Sequence, residues 1–294
     1  MLNKLEMFIM VANEGHFGRA AESLGITQPT LSAGIKQLEE QLGVQLIFRG
    51  SRFGGLTPEG QRALVWARRI VGDARQLRDE MRFARHGLSG QLRLGVIPTA
   101  LTWAATLAAR FAQDHPNVRF TVLSRPSTQI LSMLDNLEID AGISYLDHEP
   151  MGRVSTEPLY EEDFVLVCAA GSPLAERASI PWAELADTRL CLLTPDMQNR
   201  RIVNENFAAA NVTPTAVIES NSTVVLIQSV LSGAWHTILP TDIALFLAEG
   251  KPLSAVPLSG QVARHRVGLV APYREPHTPM LATLLSEARR LANA

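Results

Sequence analysis

Apolar residues recur at helical spacing through the N-terminal part of the chain. The inward stripe of the first segment consists of Leu5, Phe8, Ile9 and Ala12. This spacing predicts an amphipathic helix. A second short helix is predicted from about Gly18 to Leu24, and Gly25 stands where helices commonly end in a left-handed residue. A third is predicted to begin after Thr27, whose hydroxyl suits an N-cap, so two helices meet across a three-residue corner.

The predicted third helix combines an apolar inner stripe with an outer face of short polar groups. The inner stripe is Leu31, Ile35, Leu38 and Leu42, and Pro29 lies in the first turn, where its missing N–H is harmless. The outward face carries Gln28, Thr30, Ser32, Ala33, Lys36 and Gln37. Such small polar groups are expected where a helix approaches base edges and phosphates. The pattern predicts a helix-turn-helix, with a protein-binding helical hairpin as the open alternative.

The segment at 45–60 alternates apolar and other residues around a Gly54-Gly55 turn, then restarts a helix at Thr57-Pro58. It predicts a small hairpin, or wing, with Arg49 and Arg52 near its tip. Arginines on such a turn are suited to contact phosphates or to enter a minor groove. The wing lowers the weight of the alternative, because a protein-binding hairpin has no need of it.

The N-terminal pattern resembles the winged helix-turn-helix of the LysR-type transcriptional regulators. The matching positions are Phe17, Ala20-Ala21, Leu24, Gln28-Pro29, Leu31-Ser32, Ile35, Leu38-Glu39, Leu42-Gly43, Leu46 and Leu56-Thr57. The resemblance implies double-stranded DNA as a partner, with a groove-facing set and a backbone-holding set. The first set is Gln28, Pro29, Thr30 and Ser32, and the second is Lys36, Arg49 and Arg52. One departure is that Ala33 and Gly34 follow Ser32, where many members carry a long polar side chain, so base reading is predicted to rest on Gln28 and Thr30.

A long helix is predicted from Pro58 to about Arg85, because no proline interrupts it and only Gly60 and Gly72 weaken it. Its apolar stripe runs through Leu64, Ala67, Val71 and Ala74 and resumes, with a phase shift, at Leu77, Met81 and Ala84. A second copy of the helix would cover this stripe; the alternative is a helix folded onto the C-terminal domain. The resemblance implies a homodimer through the linker helix, favours a homotetramer and leaves RNA polymerase as an open partner.

Beyond the Gly and Ser cluster at 85–91, strand and helix patterns alternate. Such an order predicts parallel sheet with covering helices, arranged as two similar halves with a ligand cleft between them. The resemblance extends here to the LysR-type effector domain, itself similar to periplasmic binding proteins. The predicted fold is therefore α/β overall: a mainly α winged helix-turn-helix (1–58), a linker helix (59–87), a hinge (88–91) and a two-lobed α/β domain (92–294). Lobe I takes about 92–161 and 267–294, and lobe II about 162–266.

Candidate effector contacts lie where predicted strands end. Pro98 with Thr99, and Ser127 with Thr128, open two predicted helices, and their free N–H groups and hydroxyls suit a small carboxylate; ordinary N-capping is the alternative. Arg200 and Arg201, which follow Asn199 at the start of another helix, are candidate counter-charges, and Arg125 is a weaker one. Trp235 and His236 form a bulky pair that would narrow the cleft, unless both pack under the second lobe.

Composition narrows the class of protein. Hydrophobic residues make up 46% and charged residues 19% of the 294-residue chain, which is typical of a globular protein. Residues 1–90 carry 12 Lys and Arg against 9 Asp and Glu, whereas the rest carries 15 against 20. This balance mildly favours a polyanion as partner of the N-terminal part. Neither a membrane span nor a secretory signal is predicted, so we expect a cytoplasmic protein without a membrane partner.

Catalytic and redox chemistry have weak support in the sequence. No motif for a catalytic site, a cofactor or a metal emerges, so we expect none of them. Cys168 and Cys191 lie in apolar runs and are interpreted as buried thiols, although a thiol-based redox-sensing regulator stays an alternative. The favoured prediction is a LysR-type regulator that senses a small molecule, a small organic acid or other anion. The competing class is a cytoplasmic solute-binding or enzymatic α/β domain with an appended helical interaction module.

Overall fold

A computed structural model of the chain describes residues 1–48, 53–147 and 152–293. The chain divides into two compact units. The first is Met1–Gly87 together with Asp135–Glu138, and the second is Leu88–Leu134 and the chain from Ile139 onward. Within the described ranges, no helix has both the length and the apolar composition needed to cross a bilayer.

The first unit is built from four helices and a short wing. The helices are α1 (Leu2–Glu14), α2 (Phe17–Ser23), α3 (Gln28–Leu42) and α4 (Pro58–His86). A single antiparallel bridge between Ile47 and Leu56 forms the described part of the wing. The predicted helices are all present, and α2 begins and ends one residue before its predicted bounds.

The first unit folds around the apolar stripes that the sequence predicts. Its buried core is Leu5, Phe8, Ile9, Val11, Ala20, Ala21, Leu31, Ile35, Leu38, Leu46, Ile47, Leu64, Ala67 and Val71. Three caps then fix where the helices begin. The Thr27 hydroxyl accepts from the backbone N of Thr30 (3.4 Å), and the Thr57 hydroxyl accepts from that of Gly60 (2.9 Å). The ring Nδ1 of His16 caps α2 by accepting from the backbone N of Gly18 (3.0 Å).

Helix α4 has two apolar faces, and only one of them is buried in the chain. At a rise of about 1.5 Å per residue, its 29 residues extend roughly 43 Å. Leu64, Ala67 and Val71 are buried in the core of the first unit. A second stripe at helical spacing is exposed and consists of Trp66, Ile70, Leu77 and Met81.

The first lobe of the second unit is a five-stranded sheet covered by three helices. Its strands are β1 (Gly90–Val96), β2 (Val118–Ser124), β3 (Ala141–Tyr145), β4 (Val154–Glu162) and β11 (His265–Pro272), and its helices are α5 (Leu101–Asp114), α6 (Ser127–Asp135) and α10 (Pro279–Ala292). The strand order is β2-β1-β3-β11-β4. Strand β1 pairs in parallel with β2 and β3, whereas β11 is antiparallel to both β3 and β4.

The second lobe holds a four-stranded sheet, a parallel strand pair and three helices. Its strands are β5 (Phe164–Ala169), β6 (Ile180–Pro181), β7 (Leu190–Leu193), β8 (Ala216–Ser220), β9 (Thr237–Pro240) and β10 (Leu253–Ser259), and its helices are α7 (Gln198–Ala209), α8 (Thr223–Leu231) and α9 (Thr241–Ala248). The sheet order is β6-β10-β5-β9, and β7 pairs with β8.

The parallel-sheet prediction was wrong for β11, which is antiparallel to β3 and β4, and for β5, which is antiparallel to β9 and β10. The chain enters the second lobe after β4 and returns through β11, and these two strands run side by side in opposite directions. Strand β10 and helix α9 were not predicted at all. The architecture nevertheless places the carboxyl ends of the parallel pairs β1 and β2, and β7 and β8, where a ligand of an open α/β sheet is expected.

Candidate DNA-reading helix and effector cleft

Helix α3 presents a continuous polar face at its N-terminal end. The exposed residues of this face are Gln28, Pro29, Thr30, Ser32, Ala33, Lys36 and Gln37. The hydroxyls of Thr27 and Thr30 lie 2.8 Å apart and share a hydrogen bond, which holds the first turn. Among the described residues, Lys36 pairs with Glu40 (3.9 Å), and this exposed pair has little energetic weight. The ammonium of Lys36 is therefore available for a phosphate.

The two small residues after Ser32 have different surroundings. Ala33 is exposed on the polar face, but Gly34 is buried and turned towards α1. A Cβ on Gly34 would overlap the sulfur of Met7. Gly34 therefore permits close packing of α3 on α1, and only Ala33 occupies a position from which a longer side chain would reach out.

The start of the wing is fixed by α3 and by the cap of α4. The Glu39 carboxylate on α3 accepts from the backbone N of Leu46 (2.7 Å) and of Ile47 (3.2 Å). The Thr57 hydroxyl donates to the carbonyl oxygen of Gln45 (2.6 Å). The wing is thus held beside the reading helix by hydrogen bonds to its backbone. The predicted phosphate contacts Arg49 and Arg52 lie outside the described residues.

A polar pocket of about 220 Å³ lies between the two lobes of the second unit. Its lining residues are Pro98, Ser124, Arg125, Pro126, Gln129, Asp196, Met197 and Asn221. Each lies at or just after the carboxyl end of β1, β2, β7 or β8, apart from Gln129 in the first turn of α6. Both lobes therefore contribute to one site, as expected for sheets of this kind.

The predicted effector contacts of the first lobe fall at or beside this pocket. Pro98 lines it. Thr99 follows Pro98 and is buried, Ser127 follows the lining residue Pro126 and is buried, and Thr128 is exposed on α6. Arg125, the weaker of the predicted cations, is the one that lines the pocket.

A buried glutamate lies in the same region, at the end of β4 where the chain leaves the first lobe. Glu162 is 1% exposed. Its carboxyl group accepts from the hydroxyls of Tyr145 (2.7 Å) and Tyr160 (3.3 Å). Asn199 at the start of α7 donates to the Tyr145 hydroxyl (3.5 Å), so the cluster joins both lobes. The Thr99 hydroxyl adjoins Tyr145 and Glu162, although it makes no hydrogen bond of standard geometry in the described structure.

Burial raises the pKa of Glu162 from 4.5 to about 8, because the charged form loses its hydration. Hydrogen bonds from the two tyrosines oppose this rise, and the charge of Asp242 adds to it. The same burial, with the neighbouring carboxyl, raises the pKa values of Tyr145 and Tyr160 well above 10. Burial therefore favours the uncharged form of this carboxyl group.

Family models match both units of the chain. The model described as "Bacterial regulatory helix-turn-helix protein, lysR family" matches residues 2–61, and "LysR substrate binding domain" matches residues 85–293. The chain belongs to the LysR family of transcriptional regulators. This membership makes it a DNA-binding regulator with a two-lobed effector domain, and it decides against the alternative of a solute-binding or enzymatic domain with an interaction module.

Proteins similar to this LysR regulator match it over most of their length. A protein named "Probable hydrogen peroxide-inducible genes activator" from Mycobacterium avium is 31% identical over 268 residues, which is 90% of this chain and 86% of the relative. Full-length OxyR from Pseudomonas aeruginosa is 28% identical, with a TM-score of 0.76 over 99% of this chain and 95% of that one. CbnR complexed with its target DNA is 22% identical, with a TM-score of 0.63 over 99% of both chains, and shares the fold.

Two predicted contact groups of the second lobe lie away from the pocket lining. Arg200 is buried and donates to Glu219 (2.7 Å) and to the carbonyl oxygen of Leu193 (2.7 Å), so its charge already has a partner. Trp235 packs against the core of the second lobe. The backbone N of His236 donates to the carbonyl oxygen of Arg189 (3.0 Å), and burial lowers the pKa of its ring. None of these three side chains lines the described pocket.

The two cysteines of this regulator are free, buried and inert in their surroundings. Cys168 lies in β5 and Cys191 in β7, and both are fully shielded from solvent. Burial raises the pKa of the Cys168 thiol, and it raises that of Cys191 to about 11. Because the thiolate is the reactive form, both residues lack the environment of a redox-active thiol.

Three residues of the candidate sites were not indicated by the sequence. Glu162 stands at the end of a strand of mixed polarity, and nothing local marks it as buried. Asp196 lies in a loop after β7 and carries no cap or motif signal. Glu39 had a signal, because it belongs to the family pattern, but its hydrogen bonds to the wing depend on the tertiary fold.

Proposed function

We propose that this regulator binds a quasi-palindromic promoter site on double-stranded DNA as a homodimer and responds to a small organic acid or other anion in its effector cleft. The observation that carries the ligand part is the pocket at the carboxyl ends of four strands, with Arg125 among its lining residues. Family membership supports the DNA part. The proposed division is 1–58 for DNA binding, 59–87 for the linker, 88–91 for the hinge and 92–294 for the effector domain.

The proposed DNA contacts follow from the exposed face of α3. Gln28, Pro29, Thr30 and Ser32 would meet base edges in the major groove, because they lie at the N-terminal end of the helix. Lys36 would hold a phosphate, and the wing residues Arg49 and Arg52 are proposed for the same role. Such a surface reads a short half-site, so affinity and specificity require two copies.

The second apolar face of α4 supports the dimer. Trp66, Ile70, Leu77 and Met81 are exposed in the single chain, and a second copy of the same helix would bury them. We further propose a homotetramer that acts on RNA polymerase in the cytoplasm, where the DNA is located.

The DNA part is tested by footprinting the full chain on the DNA upstream of its own and neighbouring genes over a series of salt concentrations. A protected, sequence-preferred site whose affinity falls with salt is expected. Equal binding to random duplex at moderate salt would refute it. The ligand part is tested separately by a thermal-shift screen with small organic acids, because a bound effector raises the melting temperature.

A second candidate function is peroxide sensing, which the name of the Mycobacterium avium relative brings into consideration. The surroundings of Cys168 and Cys191 weigh against it, since both thiols are buried and their pKa values are raised. We expect that treatment with hydrogen peroxide leaves both thiols titratable in the folded protein. A disulfide between them, with changed DNA affinity that the Cys191→Ser variant abolishes, would reverse this choice.

A further inference from the structure

The pocket between the lobes has one positive and one negative side chain, contributed by opposite lobes. Arg125 follows β2 of the first lobe, and Asp196 follows β7 of the second. The remaining lining residues are uncharged and comprise Pro98, Ser124, Pro126, Gln129, Met197 and Asn221. The charges of the lining therefore balance, although a site for a simple anion would be expected to be positive.

The first lobe holds Arg125 in place by its backbone and leaves most of its guanidinium donors available. The Arg125 backbone N donates to the carbonyl oxygen of Val96 (2.9 Å), which fixes the residue beside the end of β1. Its Nη1 donates to the carbonyl oxygen of Ser124 (2.8 Å). Among the described residues the guanidinium forms no ion pair. A guanidinium has five N–H donors in a planar fork, so a carboxylate fits the remaining ones.

The second lobe holds Asp196 in a similar way. Its carbonyl oxygen accepts from Nη1 of Arg201 (3.1 Å), and the next backbone N, that of Met197, donates to the carbonyl oxygen of Thr194 (3.0 Å). The loop is therefore anchored by its main chain. Over the ranges that the structure describes, the Asp196 carboxylate has no ion-pair partner, and the residue is exposed. An ammonium group is the natural partner of such a carboxylate.

We propose that the effector is a small zwitterion of the amino-acid class, with its carboxylate on Arg125 and its ammonium on Asp196. This inference rests on the proposed function, since it names the ligand class of the same cleft. A dicarboxylate would bring a second negative charge to Asp196, and a diamine would bring a positive charge to Arg125. In each case electrostatic repulsion would weaken binding, and the zwitterion avoids this repulsion.

The size and walls of the pocket restrict the side chain of the ligand. A volume of about 220 Å³ lies below the range of roughly 300–1,000 Å³ common for drug-sized ligands. The apolar walls come from Pro98, Pro126 and Met197. No third charged residue is present in this lining to receive a charged side chain. The ligand is therefore a small amino acid with an uncharged side chain.

A zwitterion that contacts both lobes also accounts for regulation. The carboxylate binds to one lobe and the ammonium to the other, so both contacts form together only when the lobes are close. Such a ligand favours the closed arrangement by its differential affinity. A compound with only one of the two charges would bind one lobe and leave the lobe equilibrium nearly unchanged.

The test uses the full chain and titration calorimetry. The ligands are glycine and the L-amino acids with uncharged side chains no larger than that of methionine. Each amino acid that binds is compared with its des-amino acid and its des-carboxy amine. We expect at least one amino acid to bind and both analogues to bind about 10- to 100-fold more weakly, as for loss of a hydrogen bond to a charged group. Arg125→Gln and Asp196→Asn should each weaken the amino acid by a similar factor.

Matched controls are Arg119→Gln and Asp114→Asn, which remove the same charges from exposed positions on the first lobe outside the pocket lining. Both should bind like the unchanged chain, and all four variants should retain operator affinity without ligand. Equal binding of the des-amino acid would overturn the zwitterion and leave the proposed organic-acid cleft standing. Failure of every amino acid to bind at concentrations up to about 10 mM would also overturn it. If the affinity of a bound amino acid were unchanged by both Arg125→Gln and Asp196→Asn, the effector site would lie elsewhere in the chain.

Discussion

The reading helix and the effector cleft are built in opposite ways. In the first unit, the candidate contacts are exposed residues of one helix, and the buried stripe of that helix is separate from them. In the second, the candidate contacts come mostly from loops after four strands, and the buried Glu162 is joined through Tyr145 to Asn199 of the other lobe. Binding and stability are therefore separable where contact residues and buried residues occupy opposite faces of one helix. They are coupled where polar groups are buried between lobes.

The largest expected effect concerns the packing of α4 on the wing. A Cβ on Gly60 would overlap the backbone carbonyl of Leu46, and a backbone atom cannot move aside as a flexible side chain can. We expect Gly60→Ala to cost about 2–3 kcal/mol of unfolding free energy in the first unit, in the range for overpacking. Calorimetry should show this unit melting earlier while the second unit keeps its transition.

The control for this change is Gly171→Ala, because nothing lies within 4 Å of the position that its Cβ would occupy. It should alter neither transition by more than about 0.5 kcal/mol, as for other surface changes. If Gly60→Ala lowered both transitions equally, the two units would unfold together and the contrast between them would lose its basis.

The next effect concerns the exposed stripe of α4. Ile70→Glu should break the dimer, because a charge replaces an apolar side chain that a second copy is expected to bury, at a cost of about 2 kcal/mol or more per interface. Sedimentation should then report single chains, and operator affinity should fall with the loss of the second half-site. Gln61→Glu, on another face of the same helix, should leave both unchanged.

A smaller effect is expected from the reading face itself. Gln28→Ala should lower discrimination between operator and mutated operator by about 1–3 kcal/mol, the value of one good base contact. Its melting temperature should stay the same, because Gln28 is exposed. Gln41, exposed near the C-terminal end of α3, serves as the reference position. Gln41→Ala should change neither quantity. Lost stability in Gln28→Ala would show that the two faces are not independent.

The first unit was largely predictable because its signals are local. Leu5, Phe8 and Ile9 repeat at helical spacing, and Thr27 and Thr57 mark helix starts that the structure reproduces. The exception is His16, which caps α2 although histidine is not among the residues commonly preferred at an N-cap. The packing role of Gly34 was also not predicted, because only the packing of α3 on α1 shows that a Cβ there would overlap Met7.

The cleft was predictable as a place but not as a set of residues. Strand ends indicated Pro98 and its neighbours, and Arg125 was predicted as the weaker cation; the structure places both in the pocket lining and adds Asp196. Arg200 looked like a counter-charge in sequence, yet its partner Glu219 lies 19 positions further along the chain. Such pairings depend on which loops the fold brings together, and no local spacing contains that information.

The last effect is a pH dependence that separates the second unit from the first, modest for each pH unit but cumulative between the two pKa values. The folded chain binds the Glu162 proton more tightly than the unfolded chain, because the pKa rises from 4.5 to about 8. Its stabilising contribution is complete below pH 4.5 and is lost as the pH rises through about 8, at no more than ~1.4 kcal/mol per pH unit. The melting temperature of the second unit should fall by roughly 3–5 °C per unit between pH 6 and 8.

Glu162→Gln should flatten this dependence, because an amide of the same shape accepts a hydrogen bond from a tyrosine and carries no proton that titrates. The variant should therefore be the more stable form at pH 9 and nearly equal to the unchanged chain at pH 5, whereas the exposed Glu249→Gln should follow the unchanged chain throughout. The first unit should show no such difference between the variants. An equal slope in Glu162→Gln would mean that folding does not raise the pKa of Glu162, and the buried cluster would then not couple the stability of the second unit to pH.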